Sequence, residues 1–433
     1  MNTVERLSSL MRHLQLDAAC FATQIPGDIA DLAAQSPERI TGLVLCVPTR
    51  IDPRPFAHVA PRLLMIAGEV GLSAETSRRA LAQLPGAQEH ILPAYHAQGW
   101  SDVVADRTSE VVGAMIGFLR RSSRDLPVAS PRATSGTHSG LDYRVVGQGP
   151  PLVLLPFLLA PSQWEPAMAE LAQHFAVIQV GGRHIGGVAV LEDRARAPTY
   201  QAMFRYLIEV MAPPADGRIL DVGCGSGALD RLLAARLGTA ARIDAIDVNP
   251  FLLREAAELA REFGDRIVFA PGSALHLPFP EETFDCVFSV TVLEECDANR
   301  AIAEMLRVAR PGARIGIVVR AIDLAQWWNL ELPAAVRTIA SIPPQSVGPG
   351  GVADASLYAR MSEAGMVNLC AFPSLITLDQ PEGPIWRYRE DDVLSRLSPE
   401  EAMAWSDARA KATRHRVLVQ AHALHCAVGT KPI

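Results

Sequence analysis

The sequence predicts two α/β domains, and three observations support this class. Residues 219–227 form an apolar strand pattern that runs into three alternating glycines. Asp247 follows about twenty residues later, at the end of a second strand pattern. Short apolar runs typical of buried strands also recur between helical patterns in residues 1–182.

Length and composition limit the classes of function. A chain of 433 residues is expected to hold two or three domains. The net charge of −7 argues against a nucleic-acid partner. No apolar run reaches the ~20 residues of a membrane span, and the first residues lack the pattern of a cleaved leader. Seven cysteines without a Cys-x-x-Cys pair fit reduced thiols, so we expect a cytoplasmic protein without a metal site.

The glycine loop carries the strongest functional signal. Glycine at 223, 225 and 227 allows positive φ and a close approach to a ligand, because no Cβ is present. The next helix directs free N–H groups at that ligand, and Asp247 is placed to accept ribose hydroxyls. The pattern therefore predicts a nucleoside-binding crevice. A helix cap before Pro250 is the simpler alternative for Asp247.

The loop alone also fits a relaxed dinucleotide fingerprint, so the segments that follow decide. They are residues 246–249, 270–280, 284–289, 292–295 and 306–314. In this order they resemble class I methyltransferases that use S-adenosylmethionine, over residues 198–433. The resemblance implies a Rossmann-like fold with an antiparallel last strand, which dehydrogenase folds lack.

The resemblance also implies which residues bind the cofactor. The loop from Asp221 to Gly227 is expected to hold the methionine part, and Asp247 the ribose. The candidate cofactor-binding residues are Asp221, Gly223, Cys224, Gly225, Gly227, Asp247, Val248, Ser273, Ala274 and Val290. Most relatives have Asp at the position of Ser273, where it binds the adenine amino group. Ser273 is therefore expected to act through a water, or to be an ordinary turn residue while adenine packs on apolar walls.

Methyl transfer from a sulfonium requires mainly alignment, and a base only when the acceptor must lose a proton. His276 and Glu294 are the candidate bases, since histidine titrates near neutral pH. A surface position for His276 and a favourable helix-dipole contact for Glu294 are the alternatives.

Aromatic residues in two insertions are candidates for the acceptor site. Trp327 and Trp328 lie within 321–350, and Trp386 within 375–415. Ligands of doubly wound folds bind at the carboxyl edge of the sheet, where such insertions lie. These residues suggest an apolar or aromatic acceptor, such as a natural-product intermediate, with ordinary core packing as the alternative.

Residues 1–182 resemble an α/β-hydrolase whose halves are exchanged in order. Residues 1–121 resemble its C-terminal half, and residues 141–182 resemble its opening hairpin with the third and fourth strands. The Ser-, Pro- and Gly-rich segment 122–140 is predicted to be a linker, and 183–197 a connector. We therefore hypothesise one circularly permuted hydrolase-like domain, with two incomplete fragments as the alternative. The hypothesis requires parallel pairing between the strand at 152–155 and the strand at 18–21.

This domain is predicted to be non-catalytic. Gln24 occupies the position of the hydrolase nucleophile, and a carboxamide does not attack an ester usefully. Pro156 replaces an oxyanion-loop residue and has no N–H to donate. Glu69 and His96 lie near the positions of the acid and the base, but cannot act without a nucleophile.

The sequence thus predicts a cytoplasmic methyltransferase that acts on a small-molecule acceptor, with a homodimer also considered. One alternative is a protein that binds S-adenosylmethionine or uses its sulfonium for a non-methylating reaction such as a rearrangement. The other alternative is an acyl hydrolase. The acceptor atom, whether O, N, C or S, stays open.

Overall fold

The chain divides into two compact units in the computed structural model. Unit 1 consists of residues 1–190 and 382–396, and unit 2 of residues 191–381 and 397–433. Each unit is built on its own sheet. The structure describes residues 2–96, 101–124, 126–128, 134–182, 184–381 and 383–433.

Unit 1 is built on a mainly parallel sheet. Its strands are β1 (Ala19–Thr23), β2 (Ile40–Cys46), β3 (Leu63–Val70), β4 (Gln88–His96), β5 (Ser135–His138), β6 (Leu141–Val146), β7 (Pro151–Leu154) and β8 (Ala176–Gly181). They lie in the order β4-β3-β2-β1-β7-β8-β6-β5. β6 is antiparallel to β5 and β8, and the other neighbouring pairs are parallel.

The central strands of this sheet are buried on both faces. Phe21 belongs to the apolar cluster on one face, whereas Cys20 and Ala22 belong to the cluster on the other. Successive side chains of a strand point to opposite faces, so this alternation needs helices on both sides of the sheet. Because both faces are buried, these strands appear in the sequence as near-continuous apolar runs.

The parallel pairing required by the permutation hypothesis is present. β1 pairs with β7, with Cys20 opposite Leu152 and Ala22 opposite Leu154. The first strand of the chain therefore lies beside a strand that follows about 130 residues later. One continuous sheet results, as the permutation hypothesis requires.

Unit 2 contains the second sheet. Its strands are β9 (Arg218–Val222), β10 (Arg242–Asp247), β11 (Ile267–Pro271), β12 (Phe284–Val290), β13 (Ala309–Arg320), β14 (Trp327–Trp328), β15 (Val367–Ala371), β16 (Ser374–Leu378) and β17 (Gln420–Thr430). The order is β11-β10-β9-β12-β13-β17-β14, and β15 and β16 also pair with β17. β9 to β13 are parallel, and β17 runs antiparallel to β13. The expected reversed last strand is therefore confirmed, which argues against a dehydrogenase fold.

Helices connect and cover the strands in both units. They are α1 (Thr3–His13), α2 (Gly27–Gln35), α3 (Leu72–Leu81), α4 (Val103–Asp106), α5 (Thr108–Ser122), α6 (Glu165–Leu171), α7 (Gly186–Arg196), α8 (Pro198–Met211), α9 (Ala228–Arg236), α10 (Pro250–Leu259), α11 (Ala298–Val308), α12 (Ala334–Ser341), α13 (Ser356–Glu363), α14 (Pro384–Leu394) and α15 (Pro399–Arg414). Local sequence fixes several starts. Asn249 caps α10 by accepting hydrogen bonds from Phe251 N and Leu252 N.

The division into units differs from the predicted domain boundaries at three places. The predicted connector 183–197 contains α7, and the unit boundary falls inside that helix, after Val190. The predicted linker 122–140 contains β5. α14, which the sequence places in the methyltransferase region 198–433, belongs to unit 1. Local sequence patterns do not reveal which distant segment a helix packs against.

Within the described ranges, no helix combines the length and the apolar character that crossing a bilayer requires.

Gly316 provides a test of the packing of unit 2. A Cβ at this position of β13 would lie 2.6 Å from Met211 Sδ and 3.0 Å from Leu207 Cδ1, both on α8. We expect Gly316→Ala to lower the free energy of unfolding by about 1–3 kcal/mol through overpacking. Urea unfolding measures this change. The control is Gly113→Ala at an exposed position of α5, where a Cβ meets nothing within 4 Å. The control should be neutral or slightly stabilising, and equal destabilisation by both variants would contradict the packing.

Candidate active site

The glycine loop lies at the carboxyl end of β9. Gly223, Gly225 and Gly227 have φ of +83°, +58° and +69°. L-residues other than glycine rarely adopt this left-handed region. A Cβ on Gly223 would also collide with the side chain of Val292. Glycine at 223 is thus required both by backbone conformation and by a close neighbour.

The end of β10 fixes this loop. Gly223 N and Cys224 N both donate to Ile246 O, at 2.8 and 2.9 Å. Asp247 Oδ2 accepts from Gly225 N at 3.0 Å, and its Oδ1 accepts from Asn249 N at 3.0 Å. Burial raises the pKa of the Asp247 carboxyl, and these N–H groups oppose the rise. The predicted ribose-binding carboxylate is therefore oriented before any ligand arrives.

A second set of contacts holds the loop from the α7 side. Ser226 Oγ donates to Glu192 Oε1 at 2.7 Å. Arg231 Nη2 lies 2.6 Å from both oxygens of Glu192, and Arg231 Nη1 donates to Ser226 O at 2.8 Å. Charged hydrogen bonds of this kind are short and strong. They fix the first turn of α9, whose N-cap Gly227 offers no side-chain hydrogen bond.

A buried pair of carboxyl groups lies beneath the loop. Asp221 is 2% exposed and Asp230 is fully buried. Neither carboxylate oxygen of Asp230 has a hydrogen-bond partner among the described residues, and the two carboxyls act on each other electrostatically. Desolvation by burial raises the pKa of Asp230 to about 7 and that of Asp221 well above its usual value. The pair therefore holds a proton near neutral pH and suits a cationic ligand group.

The predicted adenine side is a tight turn. Ser273 Oγ accepts from Leu275 N at 3.2 Å, and Ser273 O accepts from His276 N at 3.0 Å. The side chain of His276 is exposed beyond this turn, and Ala274 is buried. Val248, just after β10, is 61% exposed and available as an apolar wall. Ser273 therefore makes the contacts of an ordinary turn residue, which is one of the two roles that the sequence allows for it.

Glu294 is fully buried and bound to the end of β13. Its Oε1 accepts from Arg320 N at 2.6 Å and lies 3.5 Å from Arg320 Nε. Its Oε2 has no hydrogen-bond partner in the part of the chain that the structure describes. Burial raises the pKa of Glu294, and Arg320 opposes the rise. Glu294 thus fixes the segment that follows Val290, the last residue of β12, while its role as a base stays a prediction.

The tryptophans divide between the units. Trp327 is 54% exposed, whereas Trp328 is buried and meets Trp405 edge to face at 5.0 Å. The two side chains differ in exposure because both residues belong to β14, and neighbouring residues on a strand point to opposite faces. Trp386 lies on α14, is buried, and donates to Glu390 Oε2 at 3.0 Å. α14 belongs to unit 1 rather than to the methyltransferase region, and the role of Trp386 beside the acceptor stays a prediction.

Tyr200 is a residue that the sequence reasoning missed. It lies on α8, is 1% exposed, and its hydroxyl has no partner among the described residues. Asp221 and Glu294 act on it electrostatically, and Arg194 lies 5.1 Å from its ring centroid. Burial raises its pKa. No motif marks Tyr200, since it acquires this setting only when α8 packs beside the sheet.

Comparisons with known proteins show what this chain is similar to. Residues 219–312 match the family model described as a methyltransferase domain. The chain is 34% identical over 163 residues to a probable tocopherol O-methyltransferase of Oryza sativa subsp. japonica, covering 36% of this chain and 42% of that protein. It is 32% identical over 114 residues to the ubiquinone/menaquinone biosynthesis C-methyltransferase UbiE of Hahella chejuensis, covering 26% and 46%. The solved structure of the [4+2]-cyclase SpnF aligns with a TM-score of 0.35 and 22% identity, over 54% of this chain and 81% of that one.

The chain spans less than half the length of these two curated relatives. The match to the family model nevertheless confirms the predicted methyltransferase domain, within residues 219–312.

Asp247→Asn tests the predicted ribose contact. One carboxylate oxygen becomes a donor, so the residue can no longer accept hydrogen bonds with both side-chain atoms. We expect binding of S-adenosylhomocysteine to weaken at least about tenfold, or about 1.4 kcal/mol, as measured by calorimetry. The control is Asp244→Asn on the same strand, where the carboxylate pairs with Arg218 at 2.8 Å. Equal affinities for both variants would remove Asp247 from the site.

Asp230→Asn tests the buried carboxyl pair. The native state retains a proton that the unfolded chain releases above about pH 4, so native stability should fall as pH rises from about 4 to about 7. Asn cannot ionise, and we expect the variant to be more stable than wild type at pH 8 by on the order of 2 kcal/mol. The difference should shrink at pH 5. Urea unfolding at both pH values measures it.

Exposed Asp265 provides the matched control, as Asp265→Asn. A pH-independent difference for Asp230→Asn, like that expected for this control, would contradict a shared buried proton.

Proposed function

We propose that this protein transfers a methyl group from S-adenosylmethionine to a small-molecule acceptor. The observation that carries the proposal is the glycine loop 223–227, fixed in the left-handed region and bonded to Ile246 and Asp247. A loop of this shape at the carboxyl edge of a parallel sheet suits a nucleoside ligand. The methyltransferase-domain match over 219–312 supports the same conclusion.

The charges of the site suit this cofactor. The buried pair Asp221 and Asp230 would accept the ammonium group of the methionine part. The start of α9, with no side-chain cap at Gly227, would donate N–H groups to its carboxylate. Asp247 would accept the ribose hydroxyls. When bound, the cofactor supplies an activated methyl on a sulfonium, so the protein has mainly to align the acceptor.

The acceptor side is proposed to lie beside Tyr200 and Glu294. The Tyr200 hydroxyl and Glu294 Oε2 are both buried and without described partners. Such groups are unfavourable unless a ligand or water completes their hydrogen bonds. Tyr200 would orient an acceptor oxygen or nitrogen, and Glu294 would accept a proton where the acceptor must lose one. Exposed Trp327 favours an apolar acceptor, such as a natural-product intermediate.

Unit 1 is proposed to be a circularly permuted α/β-hydrolase-like domain without catalytic activity. The parallel pairing of β1 with β7 supports the permutation. Gln24 at the nucleophile position has no positive φ, unlike a residue on a strained nucleophile turn. Glu69 and His96 are both exposed, and Glu69 Oε2 accepts from Ala94 N at 2.7 Å. Glu69 and His96 are therefore not arranged as the acid and the base of a hydrolase.

Methyl transfer is tested by release of S-adenosylhomocysteine from full-length protein with a panel of phenols, carboxylic acids, amines and activated carbon acids. We expect stoichiometric release with at least one class. Tyr200→Phe should lower kcat at least about tenfold and leave S-adenosylhomocysteine binding unchanged, because it removes only an acceptor contact. The control on the same helix is Tyr206→Phe, where the ring is 47% exposed.

Conversion of an acceptor without this release would instead support a non-methylating use of the sulfonium. Tight cofactor binding with no conversion of any acceptor would support a binding protein and contradict the proposal.

A further inference from the structure

Unit 1 contains a cleft at the carboxyl ends of three adjacent strands. The loops after β1, β2 and β7 contribute Gln24, Arg50 and Leu158, and α14 contributes Tyr388 and Asp391. The open space in and in front of the cleft, solvent included, is about 570 Å³. All of its lining residues belong to unit 1. Ligands of open α/β sheets bind at this edge.

Gln24 has a donor that nothing in the described chain satisfies. The residue is 4% exposed, and its Oε1 accepts from Leu158 N at 2.9 Å. This bond fixes the orientation of the amide, so Nε2 is the remaining donor. Nε2 is buried and has no partner among the residues described. A buried donor of this kind calls for an acceptor from a ligand or water.

Two guanidinium groups give the cleft positive charge. Arg50 lies over the ring of Tyr388, 3.8 Å from its centroid, and 3.5 Å from Asp392 Oδ1. Arg387 Nη1 donates to Gly27 O at 3.0 Å. Arginine stays charged in proteins and presents a planar set of donors to carboxylates.

Two acidic groups, Asp28 and Asp391, also line the cleft, and burial weakens their ionisation. Burial raises the pKa of Asp28 to about 6 and that of Asp391 to about 7, with Arg387 opposing both shifts. Asp28 Oδ2 already accepts from Gly186 N at 3.0 Å. A protonated Asp391 can donate a hydrogen bond, so it adds a donor to the site. The first turn of α2, where Pro26 provides no side-chain cap, adds a favourable dipole for an anion.

The remaining walls are apolar. They consist of Ile25, Pro26, Leu158, Val190 and Pro384. A ligand that matches both parts of the cleft has a charged acceptor at one end and a short hydrocarbon chain or ring at the other.

We infer that this cleft binds a small monocarboxylic acid as its carboxylate, with the oxygens accepting from Gln24 Nε2 and Arg50 and the hydrocarbon part packing on Ile25 and Leu158. The inference extends the proposal that unit 1 is non-catalytic. An amide at the nucleophile position supplies a donor to the carboxylate and no nucleophile. Unit 1 thereby retains a binding site for an acid without cleaving an ester.

The experiment is calorimetry on the full-length protein with butyrate, hexanoate and benzoate. We expect at least one to bind, and hexanamide to bind at least tenfold more weakly than hexanoate, because it carries no charge for Arg50. Gln24→Leu should weaken carboxylate binding at least tenfold. The control is Gln83→Leu on the surface of unit 1, where Nε2 makes only a 3.5 Å contact to Arg79 O. This control should bind like wild type.

Titration of the same samples with S-adenosylhomocysteine separates this inference from the proposed function. Normal S-adenosylhomocysteine binding with no heat from any carboxylate overturns the inference alone. Equal affinity for hexanamide and hexanoate, or unchanged affinity in Gln24→Leu, also overturns it. Should Gln24→Leu fail to fold, Arg50→Lys is the second variant, with the same expected loss. Hydrolysis of methyl hexanoate at a rate abolished by Gln24→Leu would overturn the assignment of a binding site without a nucleophile.

Discussion

The bond between the glycine loop and the end of β10 is the constraint on which the rest of unit 2 depends. Three left-handed glycines would be mobile in isolation, because glycine loses the most conformational freedom on folding. Here Ile246 O accepts from two loop N–H groups, and the Asp247 carboxylate accepts from a third. The same carboxylate is the proposed ribose ligand. Loop shape and ligand contact are thus set by one side chain, so the site is largely ordered before binding.

Both units bury ionisable side chains at the carboxyl edges of their sheets. Asp221, Asp230 and Glu294 are buried in unit 2, and their ionisation is resisted by desolvation. A fold that served stability alone would gain from apolar residues at such positions. The proposed ammonium contact of Asp221 and Asp230 and the proposed proton transfer to Glu294 would each account for a buried acidic group near the carboxyl edge. The cleft of unit 1 differs, because an unpaired donor and two guanidinium groups suit an anionic ligand.

Sequence alone predicted what is local and failed where distant segments meet. The strands, the conformation of the glycine loop and the position of Asp247 at the end of β10 were predictable, because backbone conformation and strand burial constrain residue type directly. The pairing of β1 with β7 was predictable because both segments show clear strand patterns. Tyr200 was missed, since its setting depends on how α8 packs, and the place of α14, which carries Trp386, in unit 1 was not predictable, since its chain neighbours belong to unit 2. The role of Ser273 was left open because a turn and a ligand contact use the same hydroxyl.

A crystal structure of the protein with S-adenosylhomocysteine tests the central claim most directly. The account predicts the ribose hydroxyls within hydrogen-bond distance of Asp247, the homocysteine part over residues 223–227, and its ammonium group at Asp221 and Asp230. A ligand bound elsewhere on the chain, with Asp247 still engaged only by Gly225 N and Asn249 N, would contradict the account.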